Sequence, residues 1–145
     1  MAKVKKTVTL PYSCEAMFKL VDDIEQYPMF VPWCDASQIL KRSPEQVCAS
    51  LTFGFRGIHY TFTTENCLLP YDRMDIQLVD GPFDHLQGHW YFKPLADGWS
   101  EISLELEYVF SFVFLSSLFE PFFTSMAHQW VQAFVKRAEE VYGPH

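Results

Sequence analysis

The chain has 145 residues, 49% hydrophobic and 20% charged, enough for one domain with a real core and too short for two ordinary ones, so residues 1–145 are expected to form a single domain. A formal charge of −7 argues against broad electrostatic attraction to nucleic acid, which depends on Lys and Arg releasing counterions, and no DNA partner is expected. Aromatic residues make up 17%, with 14 Phe, 7 Tyr and 4 Trp, a load large enough for part of it to line a cavity.

Near the N-terminus, Val4, Val8 and Leu10 alternate with Lys5, Thr7 and Thr9, which predicts a half-buried strand ending at Pro11. Ser13 is placed to cap a short amphipathic helix whose apolar face is Met17, Leu20, Val21 and Ile24, with Glu15 in its first turn. Pro28 and Pro32, four apart, forbid a continuous helix through Tyr27–Cys34 and predict a compact, aromatic-rich connection folded against the core. From Ser37 to Phe112 short alternating runs are separated by turn signals at Ser43-Pro44-Glu45, Gly57, Pro70-Tyr71-Asp72, Asp80-Gly81-Pro82 and Ala96-Asp97-Gly98, the pattern of an antiparallel meander. Its clearest strand carries Ile102, Leu104, Leu106, Tyr108, Phe110 and Phe112 on one face, with Ser103, Glu105, Glu107 and Ser111 on the other.

The last segment, Ser117 to Tyr142, repeats apolar residues at helical spacing: Phe119, Phe122, Phe123, Met126, Trp130, Phe134, Ala138 and Val141. A helix of about 25 residues would span about 37 Å at 1.5 Å per residue, enough to cross a curved sheet of this size. The expected fold is therefore α+β: a curved antiparallel sheet of six to seven strands wrapped around a long C-terminal helix, with one or two short helices after the first strand. An aromatic space between sheet and helix has the form of a small-molecule site.

Other chemistry is weaker. Cys14, Cys34, Cys48 and Cys67 contain no CxxC pair and follow no secretory signal, which points to a reduced cytosolic chain. Cys34 sits in an apolar stretch with no cation beside it in sequence to lower its pKa, so a buried thiol is expected rather than a nucleophile. His85 and His89 would share a strand face some 13 Å apart, too far for one ion that needs each nitrogen within about 2 Å, so no metal site is expected. Asp80 and Asp84 belong to a turn region and lack a spaced polar partner for acid–base work, so no catalytic residue is assigned. The uncharged run between Glu107 and Glu120 is shorter than the ~20 apolar residues of a spanning helix. Ser117-x-x-Glu120 is a capping-box pattern, but Pro121 suits the first position of a helix, so a break or hinge is expected there, at the cavity mouth.

Four motifs, in order, resemble one known family: Tyr27-Pro-x-Phe-x-Pro-x-Cys34; Phe62-Thr-Thr-x-Asn66; Val79-Asp-Gly-Pro-Phe83 with Leu86-x-Gly-x-Trp-x-Phe-x-Pro94; and the closing aromatic helix. Together they cover nearly the whole chain and resemble the coenzyme Q-binding START-domain family, whose bacterial members are also labelled oligoketide cyclase-like or RatA-like. The resemblance implies a helix-grip fold with a hydrophobic cavity. It also implies non-enzymatic binding of ubiquinone or a similar polyprenyl quinone in support of respiratory electron transport, with no covalent cofactor. A second branch of the family implies a different role, binding the large ribosomal subunit and inhibiting subunit joining. A polyketide cyclase-type enzyme is a third. The ribosome-associated branch carries basic residues after Gly-Pro-Phe and inside Thr-Thr-x-Asn; here those places hold Asp84, His85 and Glu65, which favours the lipid-binding role.

On this reading the ligand wall comprises Phe30, Pro32, Tyr60, Phe62, Trp90, Phe92, Tyr108, Phe119, Phe122, Phe123, Met126 and Trp130, while Phe134 to Val141 are ordinary core. Tyr60, Asn66 and Gln129 are the polar groups expected to orient a head group. Partners would be a hydrophobic lipid and, transiently, a membrane surface, with the protein cytoplasmic and peripheral to the inner face of the membrane.

Overall fold

The computed structural model describes residues 2–55, 57–111 and 113–143, and only the backbone of residues 55 and 113–119. Seven strands, β1 (Ala2–Leu10), β2 (Cys34–Arg42), β3 (Gln46–Phe55), β4 (Ile58–Leu69), β5 (Arg73–Asp80), β6 (Phe83–Pro94) and β7 (Ser100–Phe110), form one antiparallel sheet in the order β1-β7-β6-β5-β4-β3-β2. Strands 2 to 7 are a simple meander, as expected from the turn signals, and β1 closes the far edge by pairing with β7.

Period-2 patterning decides the faces. Along β7 the residues alternate strictly between buried and half-buried, so Ile102, Leu104, Leu106, Tyr108 and Phe110 all face inward. Cross-strand register then gathers large side chains on the concave side: Leu51 opposes Phe62, Phe53 opposes Tyr60, and Trp90 opposes both Met74 and Leu104. Two register shifts bend the edge strand β2, between Cys34 and Ala36 and between Ile39 and Lys41, which turns an open edge away from regular pairing.

Two short helices and a 3₁₀ turn link β1 to β2. Ser13 caps α1 (Cys14–Asp22), its side chain accepting a hydrogen bond from the Ala16 amide at 3.1 Å, and Met17, Phe18, Leu20 and Val21 are buried beneath it. Each such side chain contributes roughly 1.5–3 kcal/mol when fully buried. Arg42 of β2 grips the end of α1, donating to both carboxylate oxygens of Asp22 and to its carbonyl. After a 3₁₀ turn at Ile24–Gln26, the short α2 (Tyr27–Phe30) carries Pro28 in its first turn, where a missing amide costs nothing, and Pro32 lies beyond its end.

One expectation fails at the last helix. α3 runs without interruption from Val113 to Tyr142, so it begins earlier than Ser117 and does not start afresh at Pro121, which lies inside it. Proline forfeits one hydrogen bond to the preceding turn and strains the helix there, but thirty residues of helix, anchored further along, tolerate that loss. The expected break is therefore absent. The buried stripe of α3 is Phe123, Met126, Ala127, Val131, Phe134 and Ala138; Val141, assigned to the same stripe by spacing, is exposed. No helix among the described residues is long and apolar enough to cross a membrane.

Candidate functional site

Between the concave sheet face and α3 lies an apolar chamber of about 70 Å³. Its floor is built from β3 to β7 through Leu51, Phe53, Phe62, Met74, Trp90 and Leu104, and its roof from Phe123, Trp130 and Phe134 of α3. Tyr27 and Val31 close one side. A second, smaller cavity of about 30 Å³ adjoins it, bounded by Tyr60, Pro82, Phe110, Phe122 and Met126. Phe53, Phe62 and Phe123 line both, so these three rings form a septum between the larger cavity, the inner chamber, and the smaller one beside it, the vestibule.

The septum is held by ring packing. Phe53 and Phe62 stack at 5.4 Å and 15°, and Phe123 meets Trp130 edge-on at 5.6 Å and 86°. Behind Phe62 stands Gly81, with φ 152°; a Cβ there would lie 2.6 Å from the Cβ of Phe62. The Asp80-Gly81-Pro82 turn thus does more than reverse the chain, because only glycine lets it approach β4 so closely. At the vestibule, Trp33 packs edge-on against Phe122 at 5.2 Å.

Polar atoms are few and lie in the inner chamber. Thr64 and Asn66, both buried, project from β4; the Thr64 hydroxyl donates to Asn66 Oδ1 at 3.1 Å, and Asn66 Nδ2 reaches the thioether of Met74 at 3.8 Å. The indole nitrogen of Trp130 is sealed from solvent and has no hydrogen-bond partner among the described residues. Tyr27 donates its hydroxyl hydrogen to the Val21 carbonyl, and burial pushes its pKa strongly upward, so it stays a neutral phenol. Among the described residues, no Asp, Glu, His, Lys or Arg lines either cavity.

The expected wall residues divide three ways. Phe62, Trp90, Phe123 and Trp130 line the inner chamber, and Tyr60, Phe122 and Met126 line the vestibule. Four line neither. Phe30 packs on Tyr27 and Phe134 and lies beneath the Arg137 guanidinium, 5.2 Å from its ring centre. Pro32 lies outside both cavities, Phe92 is filled in against Phe18 at 5.2 Å, and Tyr108 is completely buried, with its hydroxyl bonded to Thr124. The side chain of Phe119 lies outside the described residues. Gln129 is exposed and bonds Ser125, so it cannot orient a head group, whereas Asn66 does line the chamber. Phe134, assigned to ordinary core, is part of the roof. Phe53, Thr64 and Tyr27 line the chamber although they are not among the expected site residues; for Phe53 and Thr64 the signal in the sequence is their inward register on β3 and β4.

The other reactive groups point elsewhere. Cys34 is buried, and burial pushes its thiol up to about 11, so it holds its proton at neutral pH. His59, His85 and His89 each meet one carboxylate, Asp35 at 3.0 Å, Glu107 at 3.2 Å and Asp75 at 2.6 Å. Among the described residues no group of three or more potential ligands could hold a metal ion.

With this geometry in view, known proteins give a consistent picture. At 39% identity over 142 residues, spanning 98% of this chain and 90% of the other, the chain is similar to a protein of Escherichia coli strain K12 named ribosome association toxin RatA. It is 32% identical over 139 residues, 92% of this chain and 57% of the other, to a Xenopus laevis protein named coenzyme Q-binding protein COQ10 homolog B, mitochondrial. A START superfamily protein from Mycobacterium smegmatis has the same fold, with a TM-score of 0.78 at 22% identity, over 96% of this chain and 98% of that one. The sheet wrapped on α3 is thus the START-like helix-grip. Residues 10–135 match the model of the polyketide cyclase/dehydrase and lipid transport family, and the chain belongs to that family.

Proposed function

We propose that residues 1–145 act as one ligand-binding domain that takes up a neutral hydrophobic molecule, a polyprenyl quinone such as ubiquinone or a related lipid, and carries or shields it without catalysis in support of respiratory electron transport. The observation that carries this reading is the charge-free aromatic chamber roofed by α3. Burying apolar surface there is worth about 25 cal/mol per Å². An acid–base or nucleophilic step would need a group able to gain or lose a proton near neutral pH; among the described residues the chamber wall offers the phenol of Tyr27, which is bonded and held neutral.

Size adds a condition. A cavity of ~150 Å³ accommodates benzene, and the two cavities together fall short of that, so a ring enters only where the septum parts and the space between sheet and α3 widens. The lipid would come from a membrane surface, met transiently through the exposed rim near Trp33.

Association with the large ribosomal subunit is a second reading, supported by the higher identity and fuller coverage of the relative named as a ribosome association toxin. Opposing it are the net charge of −7 and the exposed acids Glu65 and Asp84. The two readings use different parts of the molecule, interior and surface. Protein purified from a quinone-containing host is expected to release polyprenyl quinone on solvent extraction, read by mass spectrometry. An extract free of lipid, from protein that co-sediments with large ribosomal subunits, would replace the first reading with the second.

A further inference from the structure

We propose that the inner chamber selects a ligand by its head, a planar neutral ring bearing a carbonyl, which accepts hydrogen bonds from Trp130 Nε1–H and Asn66 Nδ2–H while an apolar tail leaves through the septum into the vestibule. The inference rests on the ligand-binding reading above and specifies what that site recognises and which way round it lies.

Charge is decided first. A carboxylate or amine head would be buried without an opposite charge, since no charged side chain among the described residues lines the chamber, and an unpaired ion in such surroundings is strongly disfavoured. Fatty acid anions are therefore poor ligands and neutral heads are favoured.

Hydrogen-bonding sense comes next. Trp130 offers a buried N–H without a partner, and a buried donor left unpaired is costly until an acceptor arrives. The amide of Asn66 is oriented by its neighbours: its oxygen already accepts from Thr64, which turns the NH₂ group toward the chamber side, where its partner among the described residues is only a thioether at 3.8 Å. Sulfur is a weak acceptor and yields readily to a carbonyl oxygen. Both groups line one small chamber and both are donors, so the matching head is an acceptor. An alcohol or phenol head would satisfy them less well because it brings a donor of its own.

Shape and direction follow from the rings. Phe53, Phe62 and Trp90 provide flat walls suited to a planar guest. All the polar atoms belong to the inner chamber, whereas the vestibule is bounded by Pro82, Phe83, Phe110, Phe122, Met126 and the ring of Tyr60. Head inward and tail outward is the arrangement that leaves no polar atom against hydrocarbon. The Trp130 nitrogen has essentially no accessible surface in the unfilled chamber, so it meets a carbonyl only when the rings around it shift to admit the head.

Nuclear magnetic resonance titration of the ¹⁵N-labelled full chain with three probes of matched tail tests this: hexyl-1,4-benzoquinone, hexylbenzene and heptanoate at pH 8. The quinone is expected to bind about tenfold more tightly than hexylbenzene and to move the Trp130 indole proton downfield, while heptanoate binds more weakly than either. Trp130→Phe and Asn66→Leu should each weaken quinone binding roughly three- to tenfold and leave hexylbenzene unchanged, which also certifies that each variant is folded. Equal affinity for quinone and hexylbenzene, with a stationary indole proton, overturns head recognition and leaves the cavity as an unselective apolar site. Heptanoate binding as tightly as the quinone overturns the neutral head. If no probe binds the native chain, head recognition and the ligand-binding reading fall together.

Discussion

The two halves of α3 are built for different work. From Val131 onward the helix is clasped to the rest of the molecule: Tyr142 donates to the Ala16 carbonyl at 2.8 Å, and Tyr12 donates to the Gly143 carbonyl at 2.6 Å. Phe134 is wedged edge-on among Trp90, Tyr27 and Phe30 at 5.2–5.4 Å. From Glu120 to Trp130, by contrast, the helix supplies most of the roof of the two cavities, with Phe134 at the edge of the larger one, and among the described residues the side-chain hydrogen bond from this stretch to the sheet is that between Tyr108 and Thr124. Stability is concentrated at one end and unfilled space at the other. One continuous helix is thus held firmly at one end and covers partly empty space at the other.

Truncating a ring at each end is the strongest way to break that contrast. Phe134→Ala should cost about 3–5 kcal/mol in urea denaturation, because it removes a buried ring held among Trp90, Tyr27 and Phe30 and enlarges the chamber it borders. Phe122→Ala, at the half-buried vestibule, should cost about 1 kcal/mol; equal losses at the two sites would erase the distinction. Gly81→Ala comes next, at about 1–3 kcal/mol, since its Cβ would press on Phe62. Its sharper signature is altered ligand retention, because the septum ring must shift. Removing a clasp with Tyr142→Phe should cost about 1 kcal/mol and raise amide exchange at the C-terminal end of α3 alone.

Cys34 gives the smallest effect. Its thiol is raised from 9.0 to about 11 in the folded chain, so between those values the unfolded chain releases the proton and the folded one keeps it. Stability therefore declines as pH climbs through that window, and Cys34→Ala should flatten the slope. At pH 8, alkylation of Cys34 should be much slower than that of exposed Cys67, as measured by mass spectrometry of the digested protein.

Much of the architecture could be read from the residues because it is periodic. The inward face of β7, the Ser13 cap and the apolar helix all announce themselves by spacing, and so does the meander. The chamber does not, because alternation tells which face of a strand is covered, not whether the covered position is filled. Phe92 and Trp90 share one face of β6, yet Phe18 plugs the space beside Phe92 while Trp90 borders a void. Along α3 the same limit misplaced Val141, which is exposed, since the tilt of a helix over a sheet follows from tertiary clasps such as Tyr12 to Gly143, 131 residues apart. Pro121 misled for another reason: a local preference for helix starts was outweighed by the packing of the whole helix.

Hydrogen exchange of the full chain with and without hexyl-1,4-benzoquinone tests the central claim most directly. The account expects added protection in α3 between Glu120 and Phe134 and in β4 around Phe62 to Asn66, with the clasped segment from Val135 to Tyr142 unchanged. Protection confined to the outer face of the sheet, or none anywhere at saturating quinone, would contradict it.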